Sequence, residues 1–301
     1  MSLIALKIDV DTYRGTREGA VRLAELLERL DVRATFLFSL GPDHTGRAIK
    51  RVFRPGFFRK VQRTSVLEHY GLKTLLYGVL LPGPHIGRRC KEQMRAIMRR
   101  GFETGVHTWD HVRWQDNVAR ADQEWTRHEL TLARAQYLEV FGEPPRVHGA
   151  AGWQMNPYVP ALERELGFQY ASDTRGSSPF VPQSAAGPDA EPQLPTTLPT
   201  LDELIGRRDL SAADPVEHLL AITDSRADGD EVFTLHAELE GGKYLPDFER
   251  LVRAWRERGR RLTDLGSYAG QLNFARLPRT PIIDAGVPGR SGTLATQGVA
   301  A

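Results

Sequence analysis

The chain has 301 residues, and its 40 lysine and arginine residues nearly balance its 38 aspartate and glutamate residues, which gives a formal net charge of +2. This balance argues against a wholly basic nucleic-acid-binding protein and against an acidic disordered chain. The hydrophobic fraction of 41% is ordinary for a globular protein, and the one cysteine, Cys90, excludes an intramolecular disulfide and a cysteine-based zinc site.

The predicted secondary structure alternates between strands and helices. Residues 3–10 are predicted to form a buried strand, residues 16–30 carry apolar side chains at helical spacing, and residues 34–40 form a second buried strand. This β-α-β order indicates a parallel strand pair joined by a crossover helix. Further helices are predicted at 90–100, 122–141, 160–166 and 248–258, and further strands at 103–107, 168–171 and 231–235. The pattern is typical of an α/β protein with a parallel sheet.

Two later segments interrupt this alternation. Residues 176–199 are rich in Pro, Ser and Ala and are predicted to form a long loop over the functional site, and residues 275–301 are predicted to form a disordered tail. We therefore expect one domain over residues 1–274. Charged residues occur too early at the amino terminus for a signal peptide to be expected. The longest apolar stretch, residues 75–81, is too short for a transmembrane helix to be expected.

Acidic and histidine side chains follow the predicted strands. Asp9 and Asp11 end the first strand, and because alternate residues of a strand share a face, both carboxylates should lie at one mouth of the sheet. His107 and His111 are four residues apart, a spacing that on a helix puts two imidazoles on one face. One aspartate with two histidines suits a divalent metal that binds and activates water.

The order of these residues along the chain resembles the NodB-homology polysaccharide deacetylases, which are metal-dependent amide hydrolases with an irregular (β/α) barrel. Five short motifs carry the resemblance: Asp9-Val10-Asp11, His107 to His111, Arg146-Val147-His148, Asp173, and Leu235-His236. It implies a divalent metal (Zn, Co, Ni or Mn) on Asp11, His107 and His111. It also implies Asp9 as general base, oriented by Arg146, and His236 as general acid, supported by Asp173.

The third motif departs from the family pattern. His148 and Gly149 stand where the family has proline and an aromatic residue, so small side chains and backbone are expected to line the site between Gly149 and Trp153. We expect His148, Gly149 and Trp153 to bind substrate, with a backbone N–H near Gly149 stabilising the oxyanion.

Longer segments resemble one branch of the family, the deformylases that act on a formamido sugar linked to undecaprenyl phosphate. These segments are IDVDTYRGTREG, ETGVHTWDH, HGAAGWQ, ASDTRG and TLHAELEGG. The resemblance implies a lipid-linked sugar substrate, and a product used for aminoarabinose modification of lipid A in polymyxin resistance. Two alternatives stay open: a deacetylase of another N-acylated sugar, and a non-catalytic membrane-surface module.

Residues 47–91 form a basic and apolar excursion between the predicted elements. Eleven basic residues and one acid give this segment a charge of +10, which leaves −8 for the remainder. Such composition predicts an element lying on an anionic membrane surface, here the cytoplasmic face of the inner membrane. The alternative is a segment packed on the barrel with solvated charges. No nucleic-acid-binding motif accompanies it. The predicted lipid contacts are Arg54, Phe57, Phe58, Arg59, Lys60 and Arg63.

Overall fold

The computed structural model describes residues 2–48, 72–183, 190–207, 209–210 and 214–299. Its strands are β1 (Leu3–Val10), β2 (Thr35–Ser39), β3 (Glu103–Thr108), β4 (Val147–His148), β5 (Tyr170–Ala171), β6 (Val181–Pro182), β7 (Glu231–His236), β8 (Arg261–Thr263), β9 (Arg279–Thr280), β10 (Ile282–Gly286) and β11 (Thr293–Gln297).

The helices lie between these strands, as expected for crossover connections. They are α1 (Ala20–Arg29), α2 (Leu72–Leu76), α3 (Ile86–Arg89), α4 (Lys91–Arg99), α5 (His111–Asn117), α6 (Gln123–Phe141), α7 (Val159–Glu165), α8 (Leu201–Leu204), α9 (Pro215–Ser225), α10 (Leu245–Glu257) and α11 (Leu265–Ala269). None of the helices in the described part of the chain is both long enough and apolar enough to cross a membrane.

The central sheet is parallel and has the strand order β5-β4-β3-β2-β1-β7, with β8 pairing the first residues of β1. Residues 192–198 run between the two outer strands. Leu194 N donates to Ala171 O of β5 at 2.8 Å, and Thr197 N donates to Val232 O of β7 at 3.1 Å. The curled sheet with its helices confirms the predicted irregular (β/α) barrel.

The two faces of β1 have different environments. Ile4, Leu6 and Ile8 pack in the layer between sheet and helices, whereas Leu3 and Ala5 belong to the apolar cluster inside the barrel. Because side chains alternate along a strand, Lys7 and Asp9 continue the interior face toward the carboxyl ends of the strands. The lower interior is therefore apolar, and polar side chains occupy the interior nearer the mouth.

The loop predicted over the site at 176–199 has a different role where it is described. Leu194 and Leu198 are fully buried, and the segment that contains them hydrogen-bonds to both open edges of the sheet. Its proline-rich composition does not prevent this, because isolated backbone groups, rather than a regular ladder, make the bonds. Residues 190–198 therefore close the barrel rather than cover it.

The disordered tail predicted for 275–301 is also not what the structure has. Strands β10 and β11 form an antiparallel hairpin, β9 pairs with β6, and Leu294 and Ala295 are buried. Arg175 N donates to Ala295 O at 2.9 Å, and Gln297 N donates to Arg175 O at 2.7 Å. Backbone bonds of this kind need few large apolar side chains, so composition alone gave the wrong expectation.

The excursion at 47–91 is described at its two ends. Arg54, Phe57, Phe58, Arg59, Lys60 and Arg63 lie outside the described residues. Pro42 and His85 form a β-bridge, and Gly46 N donates to Tyr77 O at 3.0 Å, so the excursion leaves and returns just beyond the carboxyl end of β2. Between these ends, Val79, Leu80 and Leu81 form an exposed apolar turn, with Leu80 76% exposed.

Candidate active site

Asp11, His107 and His111 meet at the carboxyl end of the sheet. His107 Nε2 lies 3.2 Å from Asp11 Oδ1, and His111 Nε2 lies 3.3 Å from Asp11 Oδ2. Their donor atoms all lie within 4.8 Å of one another. The three residues predicted as metal ligands are therefore brought together by the fold.

The four-residue spacing suggested that the two histidines lie on one helix, but they do not. His107 belongs to β3, and His111 is the first residue of α5. Asp110 lies between them, caps α5 by accepting from Arg113 N at 3.0 Å, and bonds His44 Nδ1 at 2.5 Å. A capped turn between β3 and α5 therefore connects the two histidines. This turn, and not one face of a helix, brings both imidazoles to the Asp11 carboxylate.

The hydrogen bonds of this cluster favour metal binding. His107 Nδ1 lies 2.6 Å from Gly149 O, which can only accept, so Nδ1 carries a proton and Nε2 is the ring nitrogen that faces Asp11. Asp11 Oδ1 is buried and has no hydrogen-bond donor among the described residues. Burial alone would raise the pKa of Asp11, but His111, His107 and His236 together lower it, so the carboxylate is ionised. An anionic oxygen and two imidazoles in this arrangement fit a divalent metal.

Asp9 lies beside this cluster inside the barrel. Asp9 is 2% exposed, with Oδ1 3.8 Å from His107 Nδ1 and Oδ2 3.5 Å from Lys7 Nζ. Arg146, predicted to orient Asp9, is instead exposed, and its Nε donates to Gln169 Oε1 at 2.8 Å. The reason is positional: Arg146 precedes β4, at the strand end opposite the site.

His236 ends β7 at the same mouth as Asp9, with which it is paired in register. Its backbone N donates to Glu240 Oε2 at 2.8 Å, and its Nδ1 lies 4.0 Å from Asp202 Oδ1. Asp173, predicted to support His236, accepts instead from Ala150 N at 2.7 Å and lies 3.0 Å from His148 Nδ1. The carboxylate beside His236 is therefore that of Asp202.

His148, predicted to bind substrate, is fully buried on the outer side of β4. Its Nδ1 lies 2.5 Å from Glu163 Oε1 of α7 and 3.0 Å from Asp173 Oδ1. Burial alone would lower the pKa of His148, but the Asp173 and Glu163 carboxyls raise it to about 10, so the ring is an imidazolium. This buried cluster joins β4, α7 and the segment after β5. It lies on the outer side of β4 and supports the strand next to the site.

Gly149 and Trp153 line the site but differ from their predicted roles. Gly149 N donates to Val106 O at 2.9 Å and Ala150 N donates to Asp173, so neither N–H is directed at a substrate. Trp153 is 1% exposed, with Nε1 donating to Thr196 Oγ1 at 3.1 Å. Its ring lies edge-on to that of His236, at 6.2 Å between centroids. Trp153 is therefore a buried wall beside His236.

Two buried glutamates of the site were not identified from the sequence. Glu238 Oε1 accepts from Asp11 N at 3.1 Å and from Thr12 N at 2.8 Å, which fixes the backbone that carries Asp11. Burial and the neighbouring Asp11 raise the pKa of Glu238 well above its usual range, and burial raises that of Glu240 to about 8. Their alternation with His236 in His-Ala-Glu-Leu-Glu was the available signal.

Comparison with known proteins gives a consistent result. The sequence model of the polysaccharide deacetylase family matches residues 3–171. A Shewanella sediminis protein named probable 4-deoxy-4-formamido-L-arabinose-phosphoundecaprenol deformylase is 36% identical over 249 residues, 83% of this chain and 80% of that protein. A protein of the same name from Wigglesworthia glossinidia brevipalpis is 30% identical over 284 residues, 94% and 98% of the two chains. A solved structure from Mycobacterium smegmatis, named as a polysaccharide deacetylase, has a TM-score of 0.65 at 18% identity over 95% of both chains.

Proposed function

The chain belongs to the polysaccharide deacetylase family, and we propose that it is a metal-dependent deformylase whose substrate is 4-deoxy-4-formamido-L-arabinose carried on undecaprenyl phosphate. The observation that carries the proposal is the meeting of Asp11, His107 and His111 beside the buried Asp9. The identity of 36% to a relative named for this reaction supports the formyl group and the lipid-linked sugar.

The reaction is hydrolysis of a formamide by water. Asp11, His107 and His111 would hold a divalent metal, which would act as a Lewis acid by lowering the pKa of water and polarising the formyl oxygen. Asp9 takes the proton from the attacking water, because its carboxylate lies beside the ligand cluster. A C–O bond forms at the formyl carbon, the C–N bond breaks as its nitrogen accepts a proton, and formate leaves.

His236 supplies this proton to the leaving nitrogen as the C–N bond breaks, which releases the free amino sugar. Its position supports this role, since it ends β7 directly across from Asp9 in the register of the sheet. Glu240 holds its backbone, Asp202 lies beside Nδ1, and Trp153 packs against the ring edge-on, so the side chain is oriented before substrate binds.

We further propose that the segment 47–91 places the enzyme on the anionic cytoplasmic face of the inner membrane. Its charge of +10 supports attraction to anionic lipid, at about 1 kcal/mol for each basic residue near the surface. Both ends of the segment lie just beyond β2, on the side of the barrel that carries the site. A lipid-linked sugar held in the membrane would therefore reach the site from that side.

The direct test is mass spectrometry of the lipid-linked formamido sugar after incubation with enzyme loaded separately with Zn, Co, Ni or Mn. We expect loss of the formyl group, abolition by a chelator, and a fall of about 10²- to 10⁴-fold with Asp9→Asn. The matching acetamido substrate is run in parallel. Preference for the acetyl group would make the enzyme a deacetylase, and vesicle binding without turnover of either substrate would make it a membrane-surface module.

A further inference from the structure

Lys7 is a buried cation inside the barrel that the proposed mechanism does not use. Its side chain is 0% exposed, and it lies on the interior face of β1, two residues before Asp9. Lysine is almost never fully buried without a partner, because removing an ammonium group from water is costly. Its position therefore requires an anion close by.

The contacts of the ammonium group identify that anion. Lys7 Nζ lies 3.5 Å from Asp9 Oδ2 and donates to the Ser172 carbonyl at 2.7 Å. It also lies 5.4 Å from the centroid of the Trp153 ring. Asp9 is the charged member of this set, and the ion pair fixes one carboxylate oxygen while Oδ1 is directed toward His107.

Gly149 leaves the space that this cation occupies. A Cβ atom at residue 149 would lie 3.2 Å from Lys7 Cε, 3.3 Å from Lys7 Nζ and 2.4 Å from Leu37 Cδ1. The carbonyl of the same glycine accepts from His107. Because residue 149 has no side chain, Lys7 fits beneath Asp9. The same turn also orients His107.

From these contacts we infer that Lys7 is the positioning residue of Asp9, in place of Arg146. It holds the carboxylate in the orientation from which it takes a proton, and it does not touch substrate, because it is completely buried. Arg146 contacts Gln169 at the surface instead. The inference rests on the proposed function, since it concerns the general base of that reaction.

Four variants separate this role from a purely structural one. Lys7→Gln keeps a donor for the Ser172 carbonyl but removes the charge, so we expect kcat to fall about 10- to 100-fold while KM and bound metal per chain stay unchanged. Lys7→Met should behave similarly. Lys7→Arg retains the charge and should keep more of kcat than Lys7→Gln, and Arg146→Met should stay near the wild-type rate.

Each outcome decides the matter. A Lys7→Gln enzyme with wild-type kcat, or an Arg146→Met enzyme that loses as much as Lys7→Gln, overturns the inference. If Lys7→Gln does not fold, Lys7→Gln/Asp9→Asn is compared with Asp9→Asn alone: recovery of folding with equal kcat supports the pairing, and any other result overturns it. If the metal-loaded wild-type enzyme shows no turnover, the proposed function itself is overturned. The wild-type rate therefore distinguishes a failure of the proposed function from a failure of the inference about Lys7.

Discussion

At the scale of a single residue, His236, the proposed general acid, is held by several contacts. Its backbone is held by Glu240, its Nδ1 lies 4.0 Å from Asp202, and its ring meets the Trp153 ring at an interplanar angle of 79°. These contacts come from three separate parts of the chain. They restrict the imidazole without engaging it in the cluster of Asp11, His107 and His111.

Replacing His236 by glutamine should therefore affect the proposed proton transfer and leave the cluster of Asp11, His107 and His111 intact. We expect His236→Gln to lower kcat about 10²- to 10⁴-fold, with the metal content per chain unchanged. Turnover of the formamido sugar and elemental analysis of the same samples measure the two quantities. His128→Gln, on the exposed face of α6, is the matched control and should keep the wild-type rate. Full turnover by His236→Gln would contradict the assignment.

The sequence located some of the site residues and misassigned others for a physical reason. Asp11 and His107 could be predicted to meet, because the carboxyl ends of the parallel strands of one sheet lie at the same mouth, and His111 follows His107 by only four residues. The sequence motif placed Arg146 and Asp173 along the chain but could not give the direction of their side chains. Lys7 could have been found from strand alternation, because it shares a face with Asp9.

At the scale of elements, the buried cluster of His148, Glu163 and Asp173 joins β4, α7 and the segment after β5. Burial, and then the nearby Asp173 carboxylate, raise the pKa of Glu163 to about 8. Gln193 completes the cluster, because its Nε2 donates to Asp173 Oδ2 at 2.6 Å. Two carboxyls around one imidazole make the cluster sensitive to proton loss.

The stability of the protein should reflect this sensitivity. Glu163 keeps its proton in the folded state up to about pH 8, whereas in the unfolded chain it loses it near 4.5. The folded state thus binds the extra proton, and Glu163 lowers the free energy of unfolding as pH rises through this window. Glu163→Gln removes that loss, so it should gain stability relative to wild type between pH 5.5 and pH 8.5, as measured by urea unfolding.

The neighbouring Glu165 provides the control for this experiment. It lies on α7 as well but is exposed and paired with Arg127, and this pair lowers its pKa. Glu165→Gln should therefore differ from wild type by a constant amount over the same pH range. A Glu163→Gln difference that is equally flat would mean that Glu163 is ionised in the folded protein.

On the scale of the whole molecule, the net charge of +2 is the sum of a segment 47–91 with +10 and a remainder with −8. The barrel itself was predictable, because alternating strands and helices admit few topologies. The closure of the barrel by residues 190–198 could not be predicted, because isolated backbone bonds leave no periodic pattern in the sequence. The hairpin of β10 and β11 could not be predicted either, because contacts such as those of Arg290 with Asp202 and Glu203 leave no such pattern.

The exposed turn Val79–Leu81 gives the membrane proposal a test within the described residues. Leu80 is 76% exposed and lies inside the basic segment. If this turn enters the lipid interface, Leu80→Asp should lower partitioning onto phosphatidylglycerol vesicles about tenfold or more, because burying a leucine side chain contributes about 1.5–3 kcal/mol. Vesicle sedimentation at low and high salt measures the effect, and the remaining electrostatic binding should weaken with salt.

Leu138→Asp is the matched control, since Leu138 is 43% exposed on α6, outside the basic segment. Equal losses for both variants, or none for Leu80→Asp, would show that the turn does not enter the lipid.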